Sequence, residues 1–161
     1  MANLIQDGLD NVVLLKTFSK LYAMAGMRVG FAVGAPAIIK MMKDQVAGEK
    51  LNYPGVAAAL VSLDDEPFQE YSRASNLESR KILASCFDKL GVKYLPSSTN
   101  FMFFELNEPI RAFQEKMAAR NILVGRPFPP AMNWCRISLG TPQEMAYVAN
   151  ELMKMRAEGA F

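Results

Sequence analysis

Two hydroxyls, Thr17 and Ser19, stand just before Lys20, and Arg28 follows eight residues later with Gly26 and Gly30 on either side. A lysine amine condenses with an aldehyde carbonyl, while hydroxyls and a guanidinium fork hold a phosphate. This one segment therefore carries groups for both ends of a phosphorylated aldehyde. Such an amine must be freed of its proton by desolvation or by cationic neighbours, and an apolar-flanked loop close to Arg28 offers both. The alternatives are ordinary. Lys20 can be a solvated loop lysine, Thr17 and Ser19 turn formers, and Arg28 a cap on a strand surface.

Arg136 is the second candidate, set in the apolar run Trp134-Cys135-Arg136-Ile137-Ser138-Leu139. A planar two-pronged donor matches a carboxylate in a way that lysine does not. If Arg136 is only structural, its place in an apolar strand demands a buried carboxylate partner. The chain has no histidine, which excludes Ser-His and Cys-His catalysis and any His-ligated metal within it. Cys86 and Cys135 lie far apart without paired spacing, so both are expected as buried free thiols.

The elements that must position these groups follow from apolar pattern and punctuation. Residues 3–10 read as the tail of an element, 11–16 as a buried strand and 28–33 as a second strand closed by Gly34. Lys20 and Arg28 then sit at a strand exit and a strand entrance that face a common end. Pro36 opens a helix to about Val46; 52–55 reads as a turn, 56–63 as a short apolar helix, and 67–90 as a long helix stopped by Gly91. Beyond it, 92–95, 101–105, 122–124 and 135–139 read as strands. A helix over 109–120 is closed by Asn121, and Thr141-Pro142-Gln143-Glu144 is a capping box that launches a helix to about Arg156. Arg126-Pro127-Phe128-Pro129-Pro130 is a rigid loop.

Composition fits a globular protein: 161 residues, 51% hydrophobic, with 18 basic and 16 acidic residues for a net charge of +2. The charges are scattered rather than striped, which argues against a nucleic-acid surface. No apolar stretch reaches membrane-spanning length and the first residues lack a signal-like pattern, so a soluble, cytoplasmic protein is expected.

The run from Thr17 to Gly30 resembles the lysine signature of fold-type I pyridoxal-phosphate enzymes, Ser/Thr-x-Ser-Lys-x-Tyr-x-x-Ala-Gly-x-Arg-x-Gly. It is most similar to class I/II aminotransferases of the histidinol-phosphate aminotransferase group. The run from Trp134 to Pro142 likewise resembles the family's Leu-Arg-Ile-Ser-x-Gly-Thr-Pro-Glu-Glu segment. The resemblance implies an α/β chain, a partial fold-type I fold made of the end of the large domain and the small domain. Residues 1–50 would be a remnant of the cofactor domain, 51–90 a helical connection and 91–161 the small α/β domain.

It further implies pyridoxal 5'-phosphate as cofactor, bonded by Lys20, with Thr17, Ser19 and Arg28 on its phosphate. Arg136 would grip the substrate α-carboxylate, with Asn100 near it, although Asn100 serves equally well as a turn residue. Arg126 matches a second substrate-side arginine that can meet a substrate phosphate, but the Pro-Phe-Pro-Pro after it departs from the family loop. The reaction implied is transamination between an amino acid or histidinol phosphate and a 2-oxo acid, in a homodimer. Amino donor and acceptor stay open, and related decarboxylases share the scaffold.

The resemblance covers only the C-terminal part of the family. The acidic partner of the pyridine nitrogen, the ring-stacking aromatic, the asparagine on the ring hydroxyl and a glycine-rich phosphate helix have no counterpart here. The alternative reading is therefore a truncated, non-catalytic remnant that folds and self-associates through exposed strands.

Overall fold

The computed structural model describes residues 2–46 and 51–161. The chain divides into two compact units, Met1–Ser72 and Arg73–Phe161. Both mix helices and strands, as the sequence predicts for an α/β chain.

In the first unit, α1 (Ala2–Gln6) precedes β1 (Val13–Thr17) and β2 (Gly30–Gly34), followed by α2 (Pro36–Asp44) and α3 (Tyr53–Asp64). The strands pair antiparallel, from Val13 opposite Gly34 to Thr17 opposite Gly30. β2 starts two residues later than its apolar pattern suggests, because Arg28 takes a left-handed conformation (φ 54°, ψ 46°) after a 3-10 turn over Ala25–Met27. Gly30 is required by the pairing itself: a Cβ there would lie 2.6 Å from the Lys16 carbonyl oxygen.

Helix α3 also departs from expectation by including the segment read as a turn. Asn52 caps it, its side chain accepting from the Gly55 N–H at 3.3 Å, and Pro54 fits the first turn, where no N–H is needed. The 25-residue α4 (Glu66–Leu90) then runs across the boundary between units and stops at Gly91, whose φ is +66°.

The second unit adds β3 (Phe101–Glu105), α5 (Ile110–Ala118), β4 (Trp134–Ser138) and α6 (Pro142–Ala157). β3 and β4 pair antiparallel from Phe101 opposite Ser138 to Glu105 opposite Trp134. Alternation sends Met102, Phe104, Cys135 and Ile137 into one buried cluster with Phe87 of α4, Phe113 of α5 and Leu152 of α6. The other face keeps Phe103 and Arg136, which stand opposite each other in register. The capping box at Thr141 and Glu144 forms as read, with Pro142 in the first turn.

Two expected strands do not form. Segment 92–95 contributes a single bridge, Tyr94 to Phe104, because Pro96 ends its supply of donors. Segment 122–124 stays irregular between Asn121, at φ 59°, and Pro127; after it the Gly125 N–H donates to the Arg136 carbonyl of β4 (2.9 Å). Both cysteines are free and buried, and burial pushes the Cys135 thiol up to about 12. Among the described residues no helix is long and apolar enough to cross a membrane.

Candidate active site

The turn between β1 and β2 is where the lysine signature falls. Thr17 ends β1, and its hydroxyl donates to Ser19 Oγ (2.9 Å) while accepting from the Ser19 N–H (3.1 Å). That local turn ties the two hydroxyls together immediately before Lys20. The Phe18 N–H then donates to the Val29 carbonyl (3.1 Å), so the chain entering the turn lies beside the chain leaving it. The loop is thereby closed. Thr17, Ser19 and Arg28 are brought to one end of the hairpin, as the sequence pattern predicts.

Phe18 anchors this arrangement from below, 3% exposed, with its ring 4.7 Å from Tyr22 and 6.0 Å from Phe31. Arg28 spends one donor on the Ala25 carbonyl (2.7 Å), which fixes the guanidinium and leaves its remaining N–H groups for a ligand. Lys20 is exposed, and among the described residues its amine has no hydrogen-bond or ion-pair partner. Its apolar neighbours in sequence do not bury it. The desolvation expected from them is not provided within this unit.

Asn52 belongs to the site's scaffold, and sequence reasoning missed it. Besides capping α3, its amide donates to the Met27 carbonyl (2.8 Å), next to Arg28. Gly55 lets this contact close: a Cβ there would lie 2.6 Å from Val29 Cγ2 and 2.8 Å from Asn52 Nδ2. The signal was present in an asparagine one residue before a Tyr-Pro helix start. The same four residues, 52–55, read equally as a turn.

In the second unit Arg136 projects from β4 into a hollow of about 360 Å³ walled by Leu95, the Ser97–Thr99 loop, Phe103 and Phe128. Its guanidinium lies 5.3 Å from the Phe101 ring centroid and 5.1 Å from that of Phe128. Its Nε is buried without a partner, and among the described residues no carboxylate pairs with the side chain. The structural alternative required such a carboxylate. A half-buried guanidinium with unspent donors is instead ready for an anion from outside.

Asn100 sits beside that hollow, with its backbone carbonyl accepting from the Leu139 N–H (2.9 Å); among the described residues its side chain has no hydrogen-bond partner. Arg126 is exposed, donates to the Pro127 carbonyl (3.2 Å) and lies 4.5 Å from the Phe128 centroid. Phe128 thus holds both arginines. This aromatic carried no assigned role in the sequence, although its place in a proline-stiffened loop after Arg126 was the available clue. A larger groove of about 480 Å³ between α4 and α6 contains none of the predicted residues.

Comparison with known proteins agrees with this picture. The chain is 36% identical over 136 residues to histidinol-phosphate aminotransferase 2 of Legionella pneumophila, covering 83% of this chain and 37% of that protein. It is 34% identical over 162 residues to the histidinol-phosphate aminotransferase of Symbiobacterium thermophilum, covering 97% of this chain and 43% of that one. A crystal structure from Erwinia carotovora atroseptica, of a protein assigned as a histidinol-phosphate aminotransferase, superposes with a TM-score of 0.95 at 50% identity. It matches 100% of this chain with 46% of its own. The Sinorhizobium meliloti histidinol-phosphate aminotransferase, solved in complex with pyridoxal-5'-phosphate, shares the fold at a TM-score of 0.80 and 24% identity, over 94% of this chain and 42% of that chain. The chain therefore spans less than half the length of these relatives. The family model for aminotransferase class I and II matches residues 3–152, and the chain belongs to that family of pyridoxal-phosphate-dependent transferases.

Proposed function

We propose that this chain supplies the cofactor-bonding lysine and the substrate-carboxylate arginine of a cytoplasmic aminotransferase. Its reaction is transamination between an amino acid or histidinol phosphate and a 2-oxo acid, in a homodimer. The observation that carries this reading is the closed turn that sets Thr17, Ser19 and Arg28 at one end of the β1–β2 hairpin, with Lys20 beside them. Hydroxyls, a backbone turn and a partly spent guanidinium suit a phosphate, so the residues present fit the phosphate end of the cofactor.

Pyridoxal phosphate, when bound, supplies an electron sink for the pair released at the substrate Cα. Lys20 would hold the cofactor at its aldehyde end through Nζ, and the same amine would serve as the base that takes and returns the proton at the substrate Cα. Thr17, Ser19 and Arg28 would hold the cofactor's phosphate and so keep it in one orientation. Arg136 takes the substrate carboxylate, or a phosphate together with Arg126 when the substrate is histidinol phosphate. Phe101 and Phe128 flank the guanidinium and shield it from water.

A second reading is favoured by the exposure of Lys20 and by the open apolar surface of its unit: a remnant of the family that folds and self-associates without turnover. The two readings separate on Arg136. Succinate binding, followed through the single Trp134 two residues away on β4, should weaken by about tenfold or more in Arg136→Lys, because an ammonium cannot present the fork. Equal affinity in wild type and Arg136→Lys contradicts the carboxylate assignment. Turnover of L-glutamate or histidinol phosphate by the chain with added pyridoxal phosphate, lost in Lys20→Ala, decides against the remnant.

A further inference from the structure

Helix α4 presents three polar side chains to the end of the β3–β4 sheet where Phe101 stands opposite Ser138, next to Asn100 and two residues along β4 from Arg136. Asn76 Nδ2 and Arg80 Nη2 both donate to the Thr99 carbonyl, at 3.3 and 2.9 Å. Between them, Ser79, fully buried, donates to the Gly140 carbonyl at 2.8 Å. Thr99 lies in the loop entering β3 and Gly140 in the loop leaving β4. One face of one helix therefore holds both.

The held loop is itself stiff. Ser97 Oγ and Thr99 Oγ1 both donate to the Phe101 carbonyl, at 2.6 and 3.1 Å, and the Phe101 N–H returns to Thr99 Oγ1 at 3.3 Å. The Asn100 carbonyl then accepts from the Leu139 N–H. Ser97, Ser98 and Thr99 form one wall of the hollow that receives Arg136. Any tilt of this loop moves the wall and the Asn100 side chain together.

We propose that Arg80 is a positioning residue for the anion end of the site. Its guanidinium, whose Nε is buried with no partner among the described residues, is oriented by the Thr99 carbonyl, and with Asn76 it fixes the height of the Ser97–Asn100 wall against Arg136. It acts on the site through this loop. A charged donor is a stronger tether for the Thr99 carbonyl than a neutral one, so Arg80 carries more of the hold than Asn76.

The test uses the full chain with Arg80→Ala, Arg80→Lys and Asn76→Ala. Amide exchange at Phe101 and Leu139 reads the loop, amides of α6 control for general loosening, and succinate titration through Trp134 reads the Arg136 hollow. Arg80→Ala should speed exchange at the two loop amides about tenfold and weaken succinate by a similar factor, with α6 unmoved. Arg80→Lys should recover part of both, and Asn76→Ala should lose less than Arg80→Ala. Unchanged exchange at Phe101 and Leu139, faster exchange shared by α6, or faster loop exchange with unaltered succinate affinity overturns the proposal. The inference rests on the carboxylate reading of Arg136 only in its succinate arm. If the wild type itself ignores succinate, that reading fails alone, and the exchange pattern with its lysine rescue still decides the role of Arg80.

Discussion

Sixteen of the buried apolar side chains among the described residues lie in Arg73–Phe161, and only Phe18 and Ala59 lie in Met1–Ser72. The exposed large apolar residues run the other way, with Leu15 at 71%, Met41 at 67% and Val61 at 72% in the first unit. The second unit closes its own core, with β3–β4 covered by α4, α5 and α6. The first offers a two-stranded sheet and little to bury it, and such a sheet is marginal by itself. The groups assigned to the cofactor stand on the weaker unit, those assigned to the substrate on the stronger. Binding and chemistry are therefore expected to respond differently when either unit is disturbed.

The largest effect should come from the closed core. Phe104, fully buried, stacks at 4.5 Å from Phe87 and meets Phe113 edge-on at 5.9 Å. Phe104→Ala should cost about 3–5 kcal/mol by denaturant unfolding followed at Trp134. Leu15→Ala, on an exposed strand face, should change the same transition by less than about 0.5 kcal/mol. Comparable losses at the two positions would break the contrast between the units.

A smaller effect belongs to the Thr141 cap. The Thr141 N–H and hydroxyl donate to Glu144 Oε2 at 2.7 and 3.0 Å and hold its carboxyl below the usual carboxylate range. A folded-state value lowered in this way stabilises the native protein above the ordinary value of 4.5 and loses that contribution as pH falls through the folded value. Thr141→Ala should lower stability by about 1 kcal/mol at pH 7. The difference from wild type should shrink when the measurement is repeated below pH 4. A difference that grows in acid would contradict the assignment.

How far the sequence revealed all this differs between the units for a physical reason. In the second unit, period-two alternation in 101–105 and 135–139 and the Thr-Pro-x-Glu cap are local signals, and the elements they predict form within a residue or two. The segments 92–95 and 122–124 failed because proline and left-handed positions beside them remove ladder bonds, a restriction that apolarity alone does not reveal. In the first unit the lysine motif placed Thr17, Ser19, Lys20 and Arg28 on one hairpin end. It could not reveal that Lys20 would stand exposed, because burial depends on what covers the loop. Asn52 and Phe128 were missed for another reason. Their contacts cross 25 residues in one case and depend on a folded loop in the other.

The smallest effect on folding should accompany a large one on association. Leu15 is exposed, at 71%, on β1 of the two-stranded sheet. Replacing it by lysine should leave the Trp134 transition within about 0.5 kcal/mol of wild type while reducing self-association in sedimentation velocity. A wild-type chain that stays monomeric across the concentration range would contradict the open-sheet account. So would a Leu15→Lys variant that associates as strongly as wild type.

A cofactor site at the β1–β2 turn, with Lys20 as its bonding residue, can be probed by titrating the chain with pyridoxal phosphate, reducing with borohydride and mapping the modified peptides, with Lys20→Ala alongside. A saturable visible absorbance change is expected, with label concentrated on the peptide that contains Lys20 and both lost in the variant. Label spread over surface lysines and unchanged by Lys20→Ala would rule that site out.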